Sequence, residues 1–105
     1  MTKTVIQIMR ELGGDDAVSE FLSASRADIT RVASTFSDAV RIDDAETYLQ
    51  CLHLLKSVAL QVDAVHLLPA IEQLRSSPLP RPLRRNPAVD ALIIQIADHL
   101  QTQLS

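Results

Sequence analysis

The amino-acid sequence predicts an all-α protein, an antiparallel four-helix bundle with an additional short N-terminal helix. Hydrophobic residues make up 47% of the chain but aromatic residues only 3%, and the aliphatic types that remain suit packing between helices. The two glycines, Gly13 and Gly14, are adjacent, whereas a β-protein of this size needs glycine at several turns. Apolar residues also recur at spacings of three and four. The length of 105 residues predicts one domain, 1–105.

Apolar spacing near the N-terminus predicts a short first helix that ends at Gly13 and Gly14. Asp15 and Asp16 are suitable N-caps for a long second helix, which ends near Arg41. The apolar stripe of the first helix comprises Val5, Ile8, Met9 and Leu12, and that of the second comprises Leu22, Ile29, Val32, Phe36 and Val40.

A third helix is predicted to begin at Asp43, because Asp43 and Glu46 have the spacing of a capping box. Only a short connection separates it from the second helix, so the two are expected to be antiparallel neighbours. Its core stripe comprises Tyr48, Leu52, Leu55, Ala59 and Val62. Val58 is expected to face the core as well, and Asp63 either ends this helix or caps the next one.

The fourth helix contains Pro69, so it either begins near Leu68 or is kinked there. A proline-rich loop, residues 76–86, follows it. Asn86 is then a suitable N-cap and Pro87 a suitable first residue for a fifth helix that runs to about Gln103. The apolar faces comprise Leu67, Ile71 and Leu74 in the fourth helix and Val89, Ile93, Ile96 and Leu100 in the fifth.

Composition argues against several classes of function. The net charge of −3 gives no support for nucleic-acid binding. Cys51, the single cysteine, is expected to be a buried thiol that forms neither a disulfide nor a cysteine metal site. No apolar run of about 18 residues is present, so membrane insertion is not expected. The first ten residues lack the features of a signal peptide, so the chain is expected in the cytoplasm. It is also expected to be a monomer.

His53 lies in the third predicted helix, about 160° from Leu55 at the centre of the core stripe. This angle places His53 at the edge of the polar face, near Gln50 and Ser57, with Lys56 about one turn further on. A neutral imidazole nitrogen can attack a phosphoryl group and hold it as a labile phosphoramidate. A nearby ammonium stabilises the added negative charge. His53 and Lys56 thus form a candidate site for phosphoryl transfer, which the small Ser57 leaves accessible.

The stretch 51–67 resembles the signature of the histidine-containing phosphotransfer (HPt) domain family. The residues at matching positions are His53, Lys56, Ala59, Ala64 and Leu67. The residues that differ from the common pattern are Ser57 in place of Gly, Val58 in place of Ser or Ala, and Asp63 in place of a second Gly. The predicted helix order around the motif also agrees, so the resemblance covers nearly the whole chain.

The resemblance implies that His53 accepts a phosphoryl group from a receiver-domain aspartate and passes it to another receiver, belonging to a response regulator or a hybrid sensor histidine kinase. It implies that Lys56 stabilises the phosphohistidine and that the chain needs no cofactor of its own, because the receiver holds the Mg²⁺. The predicted partner-binding residues are Gln50, Leu54, Ser57 and Leu60. Two alternatives are an adaptor that regulates a receiver without transferring phosphate and a purely structural bundle.

The other charged and titratable residues give weaker signals. His66 and His99 are predicted to be structural, and the three histidines lack metal-ligand spacing. The sequence contains no Gly-rich nucleotide loop, so kinase activity is not expected. Positive charge near the proline-rich loop either steers an acidic partner or, more commonly, belongs to a solvated loop. It comes from Arg75, Arg81, Arg84 and Arg85.

Overall fold

The computed structural model describes residues 4–104, and within this range its regular secondary structure consists of helices alone, without a strand. Residues 1–3, part of the segment considered above for a signal peptide, lie outside the described residues. The four α-helices are α1 (Val5–Arg41), α2 (Ala45–Gln61), α3 (Leu68–Ser76) and α4 (Pro87–Leu104), and a 3₁₀ turn (Val65–Leu67) precedes α3. None of these helices has the length and apolarity that crossing a membrane requires. The prediction of an all-α protein is confirmed.

Helix α1 contains the first two predicted helices. It begins with a capping box, in which the Thr4 hydroxyl accepts from the Gln7 amide and the Gln7 side chain accepts from the Thr4 amide. Gly14 then interrupts the helix with φ 72° and ψ −164°, a conformation that favours glycine. The sequence correctly predicts a break at the glycine pair, but the helix resumes at once, so four α-helices form instead of five.

The apolar face predicted for the first helical segment is wrong for three of its four residues. Val5, Ile8 and Leu12 are exposed, and Ile6 is the residue of this segment that the core buries. Met9 packs partly against the same core. Before the kink, α1 therefore meets the core along a face rotated by about one residue, which leaves three apolar side chains in solvent.

The core lies where α1 packs against α2 and α4, and where α2 packs against α3. Every residue of the stripe predicted for the third helix is buried, and so is Val58. The rings of Phe36 and Tyr48 join α1 to α2 edge to face, with centroids 5.1 Å apart. The largest core side chains with almost no exposed surface are those of Leu22, Ser25, Cys51, Leu52, Leu55, Val62, Ile71, Ile96 and Leu100.

The end of α1 corrects the predicted N-cap of the next helix. Asp43 is left-handed, with φ 56°, and the amides of Asp43 and Asp44 donate back to the carbonyls of Val40 and Ala39. These two bonds form a Schellman motif, so Asp43 ends α1 and does not cap α2. The cap is Asp44, whose carboxylate accepts from the Thr47 amide at 3.1 Å and from the Thr47 hydroxyl at 2.6 Å.

The end of α2 has the same geometry. Asp63 is left-handed, with φ 60°, and the amides of Asp63 and Ala64 donate to the carbonyls of Leu60 and Ala59. Asp63 therefore ends α2, which is the first of the two roles predicted for it. The other role is wrong, because the following 3₁₀ turn and α3 begin without a side-chain cap.

The remaining helix starts agree with the prolines. Helix α3 begins at Leu68, which places Pro69 in its first turn, where a missing amide costs little. Helix α4 begins at Pro87, and the Asn86 side chain accepts from the Ala88 amide at 2.9 Å. Between them, the proline-rich loop is tied to the end of α1 because the Leu83 amide donates to the Asp43 carboxylate at 2.8 Å.

Candidate functional site

His53 lies at the middle of α2 and its side chain is exposed. The preceding and following residues of the buried stripe, Leu52 and Leu55, are less than 2% exposed and hold this part of the helix against the core. The imidazole is therefore presented to solvent from a fixed backbone. This is the placement that the helical periodicity predicts for His53.

Exposed apolar side chains surround His53 on the same side of α2. Leu49, Leu54 and Leu60 remain between 44% and 48% exposed, although leucine is usually buried. A shallow depression beside the imidazole is lined by Glu46, Leu49, Gln50, His53 and Leu54. Three of the four predicted partner-binding residues, Gln50, Leu54 and Leu60, are thus exposed on this side. Glu46 and Leu49 belong to it too. Glu46 precedes Gln50 by four residues and Leu49 precedes His53 by four, a helical spacing that the sequence already contains.

Ser57, the fourth predicted partner-binding residue, is half-buried. Its hydroxyl donates to the backbone carbonyl of His53 at 3.2 Å, a bond that serine often makes within a helix. The hydroxyl is thereby turned along the helix. Ser57 consequently adds little bulk beside His53 and leaves the approach to the imidazole open.

Lys56 is held by a partner that the helical spacing does not reveal. Its ammonium lies 2.7 Å from Oε1 of Glu72 on α3, and the Arg75 guanidinium donates to the same oxygen at 3.0 Å. The hydrogen bond from Lys56 is the main cause that lowers the pKa of the Glu72 carboxyl. Sequence places Lys56 near His53, but only the packing of α3 on α2 brings Glu72 to it. The three-residue spacing of Glu72 and Arg75 was the one signal available beforehand.

In or beside α2 lie further nucleophilic or titratable side chains, those of Cys51, His66 and His99. Cys51 is 1% exposed, as predicted, and burial raises the pKa of its thiol. A ring nitrogen of His99 lies 2.8 Å from the carbonyl oxygen of Val62, which joins α4 to the end of α2. The His66 ring is exposed, with its centroid 5.5 Å from that of His99. Among the described residues no group of three or more potential ligands could hold a metal ion.

Two of the arginines near the proline-rich loop form ion pairs. Arg75 pairs with Glu72, as above, and Arg85 pairs with Asp90 at 2.6 Å. Arg81 is exposed on the loop. The positive charge of this region is therefore partly balanced locally.

No family model, no curated protein and no solved structure matches this chain. Fold and site together define an all-helical protein with a solvent-facing histidine at the centre of one helix. Apolar side chains surround that histidine, and a lysine about one turn away is bound to a glutamate of the next helix.

Proposed function

We propose that this chain is a phosphorelay intermediate. In this proposal the helices form an antiparallel four-helix bundle of the HPt type, with the segment before Gly14 as its short N-terminal helix. His53 accepts a phosphoryl group from a receiver-domain aspartate and passes it to another receiver in the cytoplasm. The observation that carries the proposal is the exposed imidazole of His53 on a helix whose opposite face is buried in the core. The exposed leucines Leu49, Leu54 and Leu60 lie on the same side of the helix as His53.

The reaction needs little from this chain beyond the imidazole. The lone pair of the unprotonated ring nitrogen forms the N–P bond, the acyl-phosphate P–O bond of the receiver breaks, and the aspartate carboxylate leaves. The Mg²⁺ that the reaction requires belongs to the receiver. Lys56 stabilises the roughly two negative charges of the phosphohistidine. The surface formed by Gln50, Leu54, Ser57 and Leu60 receives the partner.

The backbone at Asp63 also supports the resemblance on which the proposal draws. The HPt pattern commonly has glycine at this position, and φ there is 60°, in the region that favours glycine. Asp tolerates this region better than most residues, because its short side chain is compatible with the left-handed conformation. The departure at Asp63 thus keeps the turn that a glycine would make.

Phosphoryl transfer from a labelled receiver tests the proposal. A panel of receiver domains is phosphorylated, mixed with the chain and followed for acid-labile label on the chain. We expect label on the wild-type protein and none on His53→Gln. His66→Gln is the matched control, since His66 is also exposed but lies outside the site, and it should label normally.

Two further results distinguish the alternatives. Label on His53→Gln would show that His53 is the wrong residue. A stable complex with a receiver and no label on the wild-type chain would favour the non-transferring adaptor. The docking surface has its own control, since Leu54→Lys should weaken receiver binding and Ile94→Lys, at an exposed position on α4, should not.

A further inference from the structure

The ion pair between α2 and α3 places the Glu72 carboxylate on Lys56, the lysine that stabilises the phosphoryl group in the proposed function. Lys56 Nζ lies 2.7 Å from Glu72 Oε1, and Arg75 Nη1 lies 3.0 Å from the same oxygen. One carboxylate oxygen is therefore shared between two cations. Of the two, only Lys56 lies one helical turn from His53.

This arrangement makes Glu72 a competitor of the phosphoryl group for Lys56. The phosphohistidine would carry close to two negative charges, more than the carboxylate, so Lys56 can exchange Glu72 for it. Exchange leaves the carboxylate with Arg75, which already donates to it. Glu72 is then still paired after Lys56 has moved, which lowers the cost of the exchange.

We propose that Glu72 is a positioning residue that holds Lys56 away from His53 in the unphosphorylated protein, and that Arg75 sets how tightly it does so. This inference rests on the proposed function, because it assigns a regulator to the same site. It predicts opposite effects of the two neighbours. Removal of the Glu72 charge frees Lys56, whereas removal of Arg75 leaves Lys56 as the only cation on Glu72 among residues 4–104.

Phosphorylation by phosphoramidate tests this without a partner protein. In that reaction the N–P bond of phosphoramidate breaks, ammonia leaves, and the phosphoryl group bonds to the ring nitrogen of His53. Water screens an exposed ion pair of this kind, so the change in rate should not exceed about fivefold. We expect Glu72→Gln to raise the rate of acid-labile incorporation by about two- to fivefold, and Arg75→Gln to lower it by about twofold.

A merely structural role of the ion pair predicts a different pattern, in which both substitutions lower the rate. Two combinations separate these cases. In a Lys56→Ala background, Glu72→Gln should have no effect on the rate. The double variant Glu72→Gln, Arg75→Gln should behave like Glu72→Gln alone, since Arg75 acts through Glu72. An accelerating effect of Glu72→Gln that persists without Lys56 would overturn the proposal.

The acylation rate of the Lys56 amine gives a readout that does not involve phosphate. Peptide mapping separates Lys56 from Lys3, the other lysine of the chain. Acylation of Lys56 should rise in Glu72→Gln, and an unchanged rate would overturn the proposed hold on Lys56. If the wild-type chain takes label but the variants match it, this inference fails alone. If no donor labels His53, the proposed function fails, and the regulation of it fails with it.

Discussion

The two faces of α2 contain similar residues and have opposite surroundings. The inner face is covered by neighbouring helices, and Leu52 and Leu55 at its centre are less than 2% exposed. The outer face contains Leu49 and Leu54, which are nearly half exposed, and His53 between them. Leucine occurs on both, so it is the position in the helical repeat, and not the residue type, that decides burial. Exposed leucines that the fold does not use are typical of a surface that meets a partner.

Truncation of one leucine on each face is the largest test of this comparison. Leu55→Ala should lower the free energy of unfolding by about 3 kcal/mol, because it removes fully buried methyl groups and leaves a cavity. Leu54→Ala should change it by less than about 0.5 kcal/mol, since Leu54 is in solvent. Urea unfolding followed by far-UV circular dichroism measures both. A similar loss for the two variants would show that the outer face is covered in solution, for example by a second copy of the chain.

The C-terminal end of α2 belongs to neither face and gives an effect of the opposite sign. Asp63 has φ 60°, and its Oδ2 is buried without a hydrogen-bond partner in the part of the chain that the structure describes. Asp63→Gly should therefore raise the free energy of unfolding by about 1 kcal/mol, because glycine accepts the left-handed conformation without strain. Equilibrium unfolding in urea checks this.

Asp43→Gly is the matched control, at the equivalent position at the end of α1. The same relief of strain is expected there, but the variant also loses the 2.8 Å bond from the Leu83 amide to the Asp43 carboxylate. A hydrogen bond of this kind contributes about 1 kcal/mol, so the two effects should nearly cancel. A stabilisation of the same size at both positions would contradict the role given to the Leu83 bond.

Much of this difference between the faces of α2 follows from the sequence. The period of Tyr48, Leu52, Leu55, Ala59 and Val62 predicts the inner face, and the same period predicts the exposure of His53. The local bonding at the helix ends was less predictable. Asp43 and Asp44 are adjacent aspartates, and only the Schellman geometry decides which of them ends α1 and which caps α2.

Contacts between residues distant in sequence cannot be predicted from the helical periodicity of apolar residues. Glu72 reaches Lys56 because α3 packs on α2, and a helical wheel of either helix alone does not contain that information. The same holds for the segment before Gly14. Its apolar residues occupy more than one face, and the core buries Ile6 among them. Periodicity therefore predicts burial best where the helix is long and continuous.

The smallest effect concerns the edge between the two faces, where Lys56 pairs with Glu72. The hydrogen bond from Lys56 is the main cause that lowers the pKa of the Glu72 carboxyl below its ordinary value of 4.5. A carboxyl group with a lowered pKa stabilises the fold above that ordinary value, and the contribution is lost as pH falls through the lowered pKa. Lys56→Ala should therefore be slightly less stable than wild type at about pH 7, and the difference should shrink as the pH falls below 4.5 and through the lowered pKa of Glu72.

Urea unfolding of both proteins across this pH range measures the difference. It should be small, because Lys56 and Glu72 are both partly exposed and water screens their attraction. Added salt should reduce it further at neutral pH, since screening acts on the charges alone. A difference that stays constant with pH and salt would instead assign the contribution of Lys56 to packing of its methylene groups on α3. In that case Lys56 would be part of the packed, inner face of α2, and its ammonium would be less free to turn toward His53.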